Sequence, residues 1–137
     1  MNNKVLLTGI SGWIAKHVAI ELLNSGYEVL GTVRNKDLIE QTKQTLASQN
    51  APLEKLSFVE LDLLNDAGWD EAAKDCKYIM HVASPFPLKT SRNRESLVPA
   101  AKDGTLRVLN AGVNAGVDRV VLTSSIVAMF RKPNRTN

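Results

Sequence analysis

Five short, almost uninterrupted apolar runs separated by segments of helical spacing constrain this chain more than any other feature of it. Lys4–Thr8, Tyr27–Val33, Leu56–Leu61, Tyr78–Ala83 and Asp118–Thr123 are rich in Val, Leu and Ile and do not alternate with polar residues. Strands of that kind are buried on both faces, which is the condition of a parallel sheet covered by helices. The intervening segments supply the helices. Ile14, Val18 and Leu22 recur at i, i+4, i+8 ahead of Gly26, and the spacing predicts that this row faces the sheet. Leu38, Ile39, Thr42 and Leu46 mark a second helix within 36–49, ended by Asn50-Ala51-Pro52. Asp66 is placed to cap a short third helix through Ala73, and a long fourth helix is established by Pro99 and runs to Gly116. The βαβ alternation with right-handed crossovers predicts a doubly wound α/β sheet of order 3-2-1-4-5.

Composition removes several alternatives. Cys76 is the only cysteine of the 137 residues, so a disulfide scaffold and a cysteine-based zinc site are excluded, and a cytoplasmic address is expected. The apolar runs are far shorter than the ~20 residues of a spanning helix, and no apolar signal core follows Met1. The formal charge of +3 resides in Arg131, Lys132 and Arg135; the rest of the chain carries as many acidic as basic side chains. With 5% aromatic residues and no basic stripe, neither a nucleic-acid nor a membrane partner is expected. The repeated tetrapeptide Asn110–Val113 and Asn114–Val117 is one helical turn long and too short for a repeat fold. No His, Cys and carboxylate cluster at ligand spacing predicts a metal.

The first strand ends in Thr8-Gly9-Ile10-Ser11-Gly12-Trp13-Ile14-Ala15, directly ahead of the first helix. Gly9 permits a tight turn, Gly12 lets backbone N–H groups approach phosphate oxygens, and Ala15 lets the helix lie close to the sheet. The helix N-terminus adds unpaired donors and partial positive charge, so the turn is suited to a pyrophosphate, with Gly9, Ser11, Gly12, Trp13 and Ile14 as contacts. At the end of the second strand, an acid would bind a ribose 2′-hydroxyl and an arginine a 2′-phosphate. Arg34 stands there with Lys36 near it, which favours NADP over NAD. The other reading of these two residues is a solvated loop in which Asp37 pairs with either.

The glycine spacing Gly9-x-x-Gly12-x-x-Ala15, Asp62-Leu63 after the third strand, Val82-Ala83-Ser84-Pro85 after the fourth and Thr123-Ser124-Ser125 after the fifth occur in one order along nearly the whole chain. Together they resemble the extended short-chain dehydrogenase/reductase superfamily, the NAD-dependent epimerase/dehydratase family. Gly12-Trp13-Ile14-Ala15-Lys16-His17 and His81-Val82-Ala83-Ser84-Pro85-Phe86 are similar to the dihydroflavonol reductase, cinnamoyl-CoA reductase and methylglyoxal/aldehyde reductase branch. The resemblance implies a Rossmann-type fold in which Asp62 and Leu63 border the adenine, while Val82, Ala83 and Ser84 lie along the inner ribose and nicotinamide. Without the resemblance, these residues read as strand-end core and a capped turn. It also implies that Ser125 is catalytic, hydrogen-bonding the substrate carbonyl oxygen as hydride arrives. The implied activity is NADP-dependent reduction of an aldehyde, ketone or dihydroflavonol-like carbonyl.

The match fails at one place. The superfamily uses a tyrosine and a lysine four residues later on the helix after the fifth strand; here Tyr27 is followed at that spacing by Gly31, and Tyr78 by Val82. His17 and His81 read as surface and core side chains. Met129-Phe130-Arg131-Lys132-Pro133-Asn134 resembles the loop leaving the fifth strand, so the fold is expected to be truncated after that strand. Residues 1–125 are then the N-terminal part of an NAD(P)-binding domain and 126–137 a tail towards the catalytic helix. The expected partners are a dinucleotide and a small carbonyl substrate, with a homodimer for the intact protein. Nucleotide-sugar epimerase or dehydratase chemistry, and a nonenzymatic dinucleotide-binding or redox-sensing module, are the alternative readings of the same scaffold.

Overall fold

The computed structural model describes residues 3–84 and 97–129. In chain order the elements are β1 (Lys4–Leu7), α1 (Trp13–Asn24), β2 (Glu28–Val33), α2 (Leu38–Ser48), a 3-10 turn (Leu53–Lys55), β3 (Leu56–Glu60), α3 (Trp69–Ala73), β4 (Tyr78–His81), α4 (Leu97–Ala115), β5 (Arg119–Leu122) and a second 3-10 turn (Ile126–Met129). The strands form one five-stranded sheet of order β3-β2-β1-β4-β5. Every neighbouring pair is parallel, with Val5 opposite Val29 and Tyr78, Val29 opposite Leu56, and Tyr78 opposite Arg119. The apolar runs thus become the doubly wound sheet that their pattern predicts. The motif residues Pro85 and Phe86, and the segment Phe130 to Asn134, lie outside the described residues.

Successive side chains of β1 serve opposite faces. Leu7 joins Ala15, Ala19, Leu23, Val29 and Leu46 in the core under α1 and α2, while Leu6 joins Ile79, Trp69, Val108 and Ala111 under α3 and α4. Three local expectations need correction. The inward row of α1 is Ala15, Ala19 and Leu23, each at most 2% exposed, whereas Ile14 is 50% exposed and Val18 and Leu22 flank the core. Ala15, Ala19 and Leu23 pack with Leu7, Val29 and Val33 in the core on this face of the sheet, and Val18 and Leu22 pack beside them. Asp66 does not cap α3, which opens after Gly68 at φ 87° with no side-chain cap. Its carboxylate instead accepts from the Arg107 guanidinium of α4, and Trp69 anchors the helix by donating from Nε1 to the Asp62 and Asn65 carbonyls.

The third correction concerns β5. Val121 and Leu122 are 45% and 48% exposed, so this strand is not covered on both faces among the described residues. Among the described residues its one neighbouring strand is β4, and it contributes mainly Val120 to the core beneath α4.

Candidate functional site

A cleft of about 490 Å³ opens at the carboxyl ends of the central strands, where the loops after β1, β2, β3 and β4 converge. Its size suits a drug-sized or cofactor-sized ligand. Gly9 begins the turn after β1 at φ +68°, a conformation that strains any residue with a Cβ. Space reinforces the restriction: a Cβ on Gly9 would stand 2.8 Å from Ala83 Cβ. Gly12 then donates its N–H to the Gly9 carbonyl (2.9 Å), and the first helical bond runs from Lys16 N–H to Gly12 O (3.0 Å). The N–H groups of Trp13, Ile14 and Ala15 therefore lie ahead of the helical ladder. No side chain caps this end and no acid sits in its first turn, so its positive end faces the cleft uncompensated. Side-chain-free backbone at Gly12 beside such an end fits a pyrophosphate group.

Strand β2 fixes the height of this turn. Gly9 N–H donates to Thr32 Oγ1 (3.0 Å), and Ile10 N–H donates to the Thr32 carbonyl (3.1 Å). Ile10 folds over Gly31, where a Cβ would meet its side chain at 2.6 Å. One residue past β2, Arg34 is exposed and lines the cleft. Asp37 is engaged locally: its N–H donates to Asn35 Oδ1 and its Oδ2 accepts from Asn35 Nδ2.

The remaining walls come from the loops after β3 and β4. Asp62 Oδ1 accepts the Leu64 N–H (2.9 Å), closing a tight turn that carries Asp62 and Leu63 to the cleft. Leu63 is also 7% exposed core, and its carbonyl accepts from Arg107 Nη1 (2.8 Å). Val82 and Ala83 are half-buried, and both donate N–H groups to Thr8 Oγ1 at 3.0 Å, with Ser84 next to them at the rim. His81 Nδ1 lies 2.8 Å from the same hydroxyl, and burial alone lowers the pKa of this imidazole below its ordinary value.

The structure thus brings together on one cleft Gly9, Ser11, Gly12, Trp13, Ile14, Arg34, Asp62, Leu63, Val82, Ala83 and Ser84. Lys36 is not among the lining residues; its backbone N–H is held by Glu60 Oε2 (3.1 Å). Ser125 also stands apart from the lining, exposed after β5, with its carbonyl accepting the Ala128 N–H. Sequence reasoning overlooked Thr8 and Thr32, whose hydroxyls tie the glycine turn and the β4 loop in place. The available signal was a threonine at or next to the end of an apolar strand, in each of the first two runs. Among the described residues no three His, Cys, Asp or Glu side chains are placed to hold a metal, and no helix is long and apolar enough to cross a membrane.

A parallel sheet of order 3-2-1-4-5 with a glycine turn opening onto a helix N-terminus at its carboxyl edge defines a Rossmann-type, dinucleotide-binding class of protein. Within that class, the chain belongs to the NAD dependent epimerase/dehydratase family, whose sequence profile matches residues 5–137. It is 39% identical to cinnamoyl-CoA reductase 1 of Oryza sativa subsp. japonica over 132 residues, covering 96% of this chain and 37% of that enzyme. Dihydroflavonol 4-reductase of Hordeum vulgare is 34% identical over 122 residues, covering 88% and 34%. Yeast methylglyoxal/isovaleraldehyde reductase Gre2, solved in complex with NADPH, superposes with a TM-score of 0.75 at 31% identity, covering 91% of this chain and 38% of that one. The chain therefore spans well under half the length of these relatives.

Proposed function

We propose that this chain is the N-terminal cofactor-binding part of an NADP-dependent oxidoreductase that reduces an aldehyde, ketone or dihydroflavonol-like carbonyl in the cytoplasm. Residues 1–125 constitute the NAD(P)-binding part, and 126–137 lead away from it. The observation that carries the reading is Arg34 on the same cleft as the uncapped α1 N-terminus. The helix end and Gly12 backbone hold the pyrophosphate, Arg34 takes the 2′-phosphate bidentately, and Asp62 and Leu63 border the adenine. Val82, Ala83 and Ser84 line the inner ribose and nicotinamide, and Lys36 adds positive charge near the 2′-phosphate. The bound cofactor supplies hydride. Ser125 donates a hydrogen bond to the carbonyl oxygen of the substrate and stabilises the charge that develops there.

NADPH and NADH titrated by Trp13 and Trp69 fluorescence test the cofactor assignment. NADPH is expected to bind at least about tenfold more tightly, and Arg34→Ala to erase the difference, since a charge-assisted bidentate contact contributes about 1.5–3 kcal/mol. Equal affinity for the two, unchanged in Arg34→Ala, overturns the assignment. No tyrosine of the chain has a lysine four residues on, so the 137-residue chain is expected to show little or no turnover; loss of a general acid alone costs about 10²–10⁴ in rate. Sustained NADPH-dependent reduction of an aldehyde by purified chain contradicts this.

A further inference from the structure

A hydroxyl has one hydrogen to give and two lone pairs to accept with. Thr8 Oγ1 has three partners: the Val82 N–H and Ala83 N–H, each at 3.0 Å, and His81 Nδ1 at 2.8 Å. The two amides can only donate, so they occupy both lone pairs. The hydroxyl hydrogen is left for Nδ1, which must accept it. His81 is thereby confined to the neutral tautomer that carries its proton on Nε2. A proton on Nδ1 would point at an oxygen with no lone pair left, and could stay only if an amide let go or the ring swung away.

We propose that Thr8 and His81 are positioning residues for the Val82–Ala83 wall of the cleft, forming a brace that holds only while the imidazole is neutral. Both side chains are buried, at 0% and 2% exposure, so water cannot readily replace the lost bonds. The wall has little slack on its other side either, because Ala83 Cβ already abuts the space above Gly9. The charged groups on the surrounding elements are Lys4 of β1, Arg119 of β5, Asp70 and Glu71 of α3, and Lys102, Asp103 and Arg107 of α4. None of them contributes to the displacement of the His81 pKa, which burial alone pushes down. The proposal deepens the cofactor reading of the cleft, and rests on it only where cofactor affinity is the readout.

The test uses the 137-residue chain. Imidazole ¹⁵N shifts at pH 7.5 are expected to show His81 protonated at Nε2; protonation at Nδ1 overturns the proposal by itself. Amide protection of Val82 and Ala83, corrected for intrinsic exchange and referenced to Leu6 and Ile79, is expected to fall about tenfold as His81 becomes protonated, the loss of one hydrogen bond each. In His81→Asn, whose Oδ1 still accepts the Thr8 hydroxyl and does not titrate, protection is expected to be independent of pH. Thr8→Val is expected to lose it at all pH, and Thr8→Ser to behave as wild type. A wild-type pH response that persists in His81→Asn overturns the brace. If His81→Asn does not fold, the comparison of Thr8→Ser with Thr8→Val carries the same decision: equal protection in the two overturns it. NADP⁺ affinity is expected to weaken on acidification more in wild type than in His81→Asn, a comparison that cancels titration of the 2′-phosphate. Collapse of protection with no NADP⁺ binding at any pH refutes the cofactor reading and leaves the brace standing.

Discussion

At the scale of single residues, the cleft depends on what is missing from two side chains and on what two hydroxyls hold. Gly9→Ala forces a Cβ into a left-handed conformation and against Ala83, so a loss of about 2–4 kcal/mol is expected in urea unfolding, combining backbone strain with overpacking. Full retention of stability would show that the turn relaxes. Thr32→Val keeps the shape but leaves the Gly9 N–H without its partner, and about 1–3 kcal/mol is expected to be lost by the same measurement. Thr32→Ser, with its hydroxyl, is expected to recover most of it. None of these substitutions touches Arg34, so a residual preference for NADPH over NADH in the variants separates scaffold damage from loss of recognition.

At the scale of elements, the corrected face of α1 makes a prediction that the original reading reverses. Ala19→Leu inserts volume at a fully buried position and is expected to cost about 1–3 kcal/mol, whereas Ile14→Ala, at a half-exposed position, is expected to change stability by less than about 0.5 kcal/mol. Thermal or chemical unfolding of the two variants decides between the faces. The sequence made the existence and order of the elements legible because strands buried on both faces lack polar interruptions and the helices keep their spacing. It did not show the rotation of α1, because Ile14-Val18-Leu22 and Ala15-Ala19-Leu23 are both apolar rows one residue apart. The second row is the one that packs with Leu7, Val29 and Val33, a tertiary arrangement that neither row announces. The candidate cleft was legible where backbone geometry shapes it, at Gly9 and Gly12, both of which line it. The contacts that Lys36 and Thr8 make in the structure were not legible, because their partners lie 24 and 75 residues away, at Glu60 and Ala83.

At the scale of the whole molecule, two buried titratable groups set a pH window. The folded pKa of His81 lies below its ordinary value, so below pH ~6.5 the unfolded chain binds more protons than the folded one and stability falls with falling pH. Cys76 behaves in the opposite sense. Burial, the largest cause, raises its thiol pKa, so above pH ~9 the unfolded chain releases the proton first and stability falls with rising pH. Urea midpoints are expected to be flat between these limits. Between pH ~6.5 and ~5, above the range of ordinary carboxylates, His81→Asn is expected to flatten the acid side; Cys76→Ala is expected to flatten the alkaline side. An acid limb that is unchanged in His81→Asn assigns it to other groups.

Ile10 lying over Gly31 couples two segments that no reading of either alone would join. Residue 31 is in the middle of a strand and does not itself line the cleft, yet any enlargement there must displace Ile10, and with it the turn that Gly9 begins. In any redesign, or in any lineage of such chains, residues 10 and 31 are expected to trade volume: a larger side chain at 31 is tolerated only with a smaller one at 10. A library randomised at both positions and selected for folding should return that inverse relation, with Gly31→Ala recovered alongside Ile10→Ala, which removes the Cδ1 and Cγ2 contacts, rather than Ile10→Val, which keeps Cγ2.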